Sequence, residues 1–168
     1  IKAGSPYYVA QFMRFEQKGH PVAGAIEAEH PLLRTAQEWD RKIHWGQLAE
    51  HATDLKSTVR AVKSYLYWWG RAFSKEKDYF HLRGQDNVLR FLPIGTVLIR
   101  VHPDDTLFEV LARIAASKIC GNRTVVSLPE GLENTVTAFL AGTEGRRMVR
   151  PERIRVHAVT LPEAAEAG

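Results

Sequence analysis

The stretch "VLIRVHPDDTLFEVLARIAASKICGNRTVVSL", from Val97 to Leu128, constrains the fold more than any other part of the chain. It reads as strand, turn, helix, turn, strand. "TVLIRVH" is a short apolar run of the kind that forms a strand. Thr106 and Glu109 have the spacing of a capping box, which predicts a helix start. Leu107, Val110, Leu111, Ile114 and Ala115 then recur at helical period. Gly121 has the chemistry of the residue that ends a helix in the left-handed region. "RTVVSL" predicts a short buried strand, "PEGLENTVTAFLAG" a second helix and "RIRVHAV" a third strand. Strands that alternate with helices imply a parallel sheet with right-handed crossovers. A further strand-like run, "VLRFLP", precedes this pattern around Pro93 and Gly95.

The predicted fold class is therefore α/β, with a small Rossmann-like βαβαβ lobe over residues 86–168. Such a lobe binds a dinucleotide when glycines between its first strand and helix let the backbone approach a pyrophosphate. Here that turn reads His102-Pro103-Asp104-Asp105 and has no glycine. Two carboxylates beside the positive end of the helix are each worth about 0.3–1 kcal/mol to it and repel a phosphate. The lobe is thus expected to lack a phosphate loop and to have no cofactor-binding residues.

Residues 31–85 read as a helical segment. Pro31 suits a helix start, where its missing N–H costs nothing. Leu55, Val59, Val62, Leu66, Trp69 and Phe73 alternate steps of four and three, which puts all six on one face. Tyr65, Tyr67 and Trp68 add more aromatic surface than a helical hairpin can cover. The segment must pack on the α/β lobe or on another chain. Gly84 and Asp86-Asn87 are expected to end it. Residues 1–30 begin with a turn, "KAGSP", continue as a short helical pattern, "YYVAQFMRF", and break at "KGHPVAG".

The chain has 168 residues, 45% of them hydrophobic and 25% charged, which suffices for a core. A net charge of +4 spread along the chain gives no basis for nucleic-acid or membrane partners. Neither a signal peptide nor a membrane-spanning run is expected from the sequence. The single cysteine, Cys120, rules out an internal disulfide, fits a reducing, cytoplasmic compartment, and is expected to be a buried structural thiol. The first residues, beginning at Ile1, are expected to continue from a longer parent polypeptide. The histidines are His20, His30, His44, His51, His81, His102 and His157. His44 and His51 stand two helical turns apart, but no zinc-binding spacing occurs. No nucleophile elbow, cysteine–histidine signature or Walker loop is present. The basic run "GRRMVRPER" is read as a solvated loop. No catalytic, cofactor-binding or metal residue is assigned.

Two stretches carry a resemblance. "IKAGSPYYV" resembles the end of the aldehyde dehydrogenase module in bifunctional proline-catabolic enzymes of the proline utilisation A type. Lys2, Ala3, Gly4, Pro6 and Tyr7 or Tyr8 match a Lys-Ala-Gly-Gly-Pro segment followed by Tyr, and Ser5 departs from its glycine. Gly84 and Asn87, Leu92-Pro93, Val97-Leu98 and "RVHPDDTLFEVLARIAASKICGNRTVVS" are similar to that family's C-terminal α/β region. The similarity covers most of residues 1–130 and thins beyond. It implies that residues 1–30 are the end of the dehydrogenase module and a linker. It further implies a parent with FAD, which oxidises proline to 1-pyrroline-5-carboxylate, and NAD, which serves glutamate semialdehyde oxidation at a cysteine. Those cofactors and that cysteine belong upstream of Ile1, and Cys120 does not take the role. This chain is then expected to be a non-catalytic domain without a cofactor. It would cover the channel between active sites, pack on the preceding domains of its own polypeptide, or support a homo-oligomer. The alternative from the residues alone is an independent small-ligand-binding or regulatory interaction domain.

From the doubly acidic turn, calorimetric titration with millimolar NAD is expected to give no saturable heat. Specific binding that disappears on changing Asp104 and Asp105 would overturn this reading.

Overall fold

The computed structural model describes residues 30–157; the features expected in residues 1–29 and 158–168 lie outside them. The first helix, α1, spans Pro31–His44. Pro31 occupies its first turn, and His30 Nδ1 accepts the Leu32 N–H at 3.2 Å. Its C-terminal end closes through Gly46, at φ +73°, where the Gly46 and Gln47 N–H groups donate to the Ile43 and Lys42 carbonyls. Helix α2, Ala52–Trp68, runs into a wide turn over Trp69–Phe73. A short antiparallel hairpin pairs β1, Lys77–Asp78, with β2, Val88–Leu89. The α/β lobe then follows as β3 (Thr96–Arg100), α3 (Leu107–Ile119), β4 (Arg123–Pro129), α4 (Thr135–Ala141), α5 (Thr143–Met148) and β5 (Ile154–His157). Its sheet is parallel, ordered β3-β4-β5, with Leu98 opposite Val125 and Val126 opposite Ile154. The expected α/β class, with a helical segment before a small Rossmann-like parallel sheet, is what the chain forms.

Lateral neighbours in a parallel sheet share a face, so Val97, Ile99 and Val101 line up with Thr124, Val126, Leu128 and Ile154. That face carries the core. α3 covers it, tied by a 2.8 Å hydrogen bond between the buried Ser117 and Thr124 hydroxyls. The opposite side of α3 receives α2 and, beyond it, α1. Leu107, Val110, Leu111, Ala112, Ile114, Ala115 and Ile119 are all buried, because α3 is the middle of three layers. Its ends follow the sequence signals. Thr106 and Glu109 form the capping box, and the Gly121 and Asn122 N–H groups close the last turn on Lys118 and Ser117.

The face predicted on α2 holds for Leu55, Val59, Val62 and Leu66, all buried. It continues only in part at Trp69, which is half-buried but packs against the core, and fails at Phe73, which is 45% exposed. The cause is the wide turn, in which the Ser74 N–H donates to Trp69 O at 2.8 Å, five residues back. More residues per turn shift the phase of the face. Phe73 instead meets Phe91 edge-on at 5.2 Å.

Other expectations need correction. The helical segment stops at Phe73, well before Gly84. "VLRFLP" adds no strand to the main sheet, and only Val88 and Leu89 pair, within the small hairpin. Pro93, which has no N–H to give a ladder, stands just beyond. The predicted second helix starts at Thr135, capped by Asn134, and Gly142 in extended conformation divides it from α5. "GRRM" therefore belongs to α5 and not to a loop, and Met148 is fully buried. Cys120 is half-buried, because it is the residue at which α3 ends.

The buried tryptophan of the helical segment is Trp39, 1% exposed, edge-on to Phe139 at 5.9 Å. Its Nε1–H donates to Glu144 at 2.7 Å. Glu144 also accepts from Lys42 at 2.5 Å, which raises the Lys42 pKa, and Arg147 bridges Glu38 to the same group. Next to Glu144, a Cβ on Gly145 would run into the Phe139 carbonyl oxygen and the Leu140 backbone. Trp39→Ala is expected to cost about 3–5 kcal/mol in urea unfolding, with Trp69→Ala clearly milder. Equal costs would place Trp69 in the core after all.

Candidate functional site

Open α/β sheets bind ligands beyond the C-terminal ends of their strands, so the turn after β3 is the first place to look. The protein fills it with its own groups. The Asp105 N–H closes a tight turn on His102 O at 3.1 Å, and the Asp105 carboxylate accepts the His102 N–H at 2.8 Å. Arg113, reaching back from the second turn of α3, pairs with the same carboxylate and contacts Arg100 O at 3.4 Å. Burial pushes the Asp105 carboxyl up, but the His102 N–H and the Arg113 guanidinium outweigh it and hold the pKa below the ordinary value. At the helix start, Glu109 accepts the Thr106 N–H at 2.8 Å while its own N–H donates to the Thr106 hydroxyl. That backbone hydrogen bond from Thr106 is the main reason the Glu109 pKa is lowered.

The sequence placed both acids against the helix dipole. The structure puts Asp104 and Asp105 before the capping residue Thr106, with Asp104 exposed, and gives the first helical turn to Glu109. The turn after β3 is thus filled by three groups of the protein itself: a carboxylate, a guanidinium and a capping box.

The histidines of the described residues do not converge on a metal site. His44 meets Trp45 edge-on, and His51 packs edge-on against Phe139 at 5.2 Å. His102 is exposed. Among the described residues no group of three or more His, Cys, Asp or Glu is placed to hold a metal. On the other face of β4, Ser127 Oγ is buried without a hydrogen-bond partner. Among the described residues no helix is long and apolar enough to cross a membrane.

The opposite end of the sheet is different. There, a cavity of about 330 Å³ is lined by Lys118 from the last turn of α3, Thr124 from the start of β4, and Arg146, Arg147, Arg150 and Arg153. Lys118 Nζ donates to Met148 O at 2.7 Å. Burial lowers the Lys118 pKa, and Arg153 and Arg150 lower it further. His30 is lowered as well, by burial and then by the charge of Lys118. Arg147 is committed to Glu38 and Glu144, and Arg146 Nε–H donates to Ala141 O at 3.1 Å. Arg150 has only a loose, exposed contact with Glu152 at 3.9 Å.

The sequence reading missed this cluster because it took the basic run for a solvated loop. A signal was present: Met148 and Val149 sit inside the run, and both are buried, so the arginines flank an anchored segment. Lys118, thirty residues earlier in the chain, reaches the same place only through the fold. Comparisons with family models, curated protein sequences and solved structures find no match to this chain.

A carboxyl held below its ordinary pKa adds stability above that value, and the addition is lost as pH falls through the lowered one. Asp105→Asn is therefore expected to lower the urea midpoint at neutral pH, with the gap to the unchanged protein closing below about pH 4. Asp104→Asn, at an exposed side chain, is the control. A pH-independent gap would show that Asp105 acts by shape and not by charge.

Proposed function

We propose that this chain is a non-catalytic domain of a bifunctional enzyme that oxidises proline to glutamate, where it serves packing, channel covering or assembly. On this reading FAD and NAD belong to other modules of the same cytoplasmic polypeptide, and this domain holds neither. The observation that carries the reading is the occupied turn after β3, where Asp105, Arg113 and the Thr106–Glu109 box fill the place a dinucleotide phosphate would take. The resemblance of "IKAGSPYYV" and of the Arg100–Ser127 region to the proline utilisation A type supports it. So does a run of exposed apolar side chains before and along β3, including Tyr79, Phe80, Leu92, Ile94 and Leu98. Ile94 is 81% exposed and Leu98 59% exposed, which suits a surface made to be covered.

A lid works by excluding water and blocking escape, without touching the reacting atoms. Deleting residues 31–168 from the parent is then expected to leave turnover of added semialdehyde nearly intact. Coupled turnover from proline to NADH should show a lag and release of intermediate. Circular dichroism establishes that the shortened parent is folded. Equal loss in both assays by a folded protein would assign a direct catalytic role and overturn the proposal. No loss in either would leave the regulatory interaction domain as the better reading.

A further inference from the structure

We propose that the cavity between the end of α3, the start of β4 and the chain leading into β5 binds a small oxyanion of the phosphate class. Lys118, Arg150 and Arg153 would supply the charge and Thr124 a wall. The proposal does not depend on the parent enzyme, since it concerns the end of the sheet opposite the occupied turn.

Two ordinary explanations for such a cluster fall short. The first is helix polarity. Lys118, Arg146 and Arg147 stand in the last turns of α3 and α5, where cations are favoured. That accounts for these three residues and not for Arg150, which lies between helices, or for Arg153, which closes a single 3-10 turn, Pro151–Arg153, too short to carry a helix dipole of that size. Nor does the one carbonyl that Lys118 reaches, Met148 O, make up for its burial beside two arginines, because its pKa still falls.

The second explanation is internal ion pairing. It holds for Arg147, which Glu38 and Glu144 neutralise. No carboxylate among the described residues is paired with Lys118 or Arg153. Lys118 and Arg153, so unpaired and beside an Arg150 held only by the exposed 3.9 Å contact with Glu152, leave an excess of like charge around the cavity that raises the energy of the folded chain. A bound anion relieves that repulsion, and the relief becomes binding energy. Guanidinium groups match phosphate oxygens in paired hydrogen bonds, and an ammonium adds a point charge, so the lining suits a compact anion of charge two or more.

The test is thermal unfolding and calorimetry of the full chain with orthophosphate and with pyrophosphate, at constant ionic strength against sodium chloride. Saturable stabilisation by either phosphate, and none by chloride, is the expected result. Arg153→Ala should weaken that binding by about tenfold, as for one charge-assisted hydrogen bond. Lys118→Met should weaken it too and, without anion, unfold at the same temperature or higher, because the repulsion is gone. Arg90→Ala, at an exposed arginine paired with Glu76 on the hairpin, should change nothing. If Lys118→Met fails to fold, Arg153→Ala and Arg150→Ala decide the matter alone. Equal effects of chloride and phosphate, or equal affinity in Arg153→Ala and Arg90→Ala, would overturn the proposal.

Discussion

Everything in this fold depends on α3 being buried from two sides. A three-stranded parallel sheet offers little apolar area, and one layer of helices on it would leave the far side of those helices wet. The chain answers with a helix that is apolar almost all round: Leu107, Val110, Leu111 and Ile114 are at or near zero exposure. Such a helix is unstable on a bare sheet and requires a second cover. The α1–α2 pair is that cover, and so the helical segment is part of the same core as the lobe. Fully burying one such side chain is worth about 1.5–3 kcal/mol, which makes the three-layer arrangement far better than either half alone.

The polar joint between the outer layer and the lobe follows from the same geometry. Where α1 meets α5, Trp39 has to bury an indole N–H, and a buried donor left unpaired is costly. Glu144 meets that need and carries a charge with it, which Lys42 and Arg147 then balance. One buried aromatic ring thus accounts for a four-residue network of Glu38, Lys42, Glu144 and Arg147. Gly145 lets α5 approach the end of α4 closely enough for the network to form.

Local signals were legible in the sequence where they are enforced locally. The Thr106–Glu109 box, the Gly121 terminus and the Leu55–Val59–Val62–Leu66 face each depend on spacing within one element, and each is present in the structure. The errors have a common origin in what spacing cannot register. Trp69 and Phe73 fit the period of an α-helix, but the backbone leaves that period at Trp69. "VLRFLP" has the composition of a strand, but a place in the main sheet needs a neighbour to pair with. The acids at 104 and 105 were read as acting on the helix dipole, whereas Asp105 is engaged by the His102 N–H and by Arg113. The basic cavity was illegible for the plainest reason: Lys118 and Arg153 are far apart in the chain and share no element.

The wide turn at Trp69–Phe73 has a bearing on how this chain can change length. An α-helix advances about 100° per residue, so losing one residue within Leu55–Leu66 would swing everything after it away from α3. The wide turn already holds one residue more than an α-turn needs. A single deletion there would return the backbone to ordinary helical winding and leave Leu55–Leu66, which precedes it, in register with α3. This is the point in the helical layer where one residue can be lost without breaking the seam, and where an ancestral insertion would have been absorbed at the least cost.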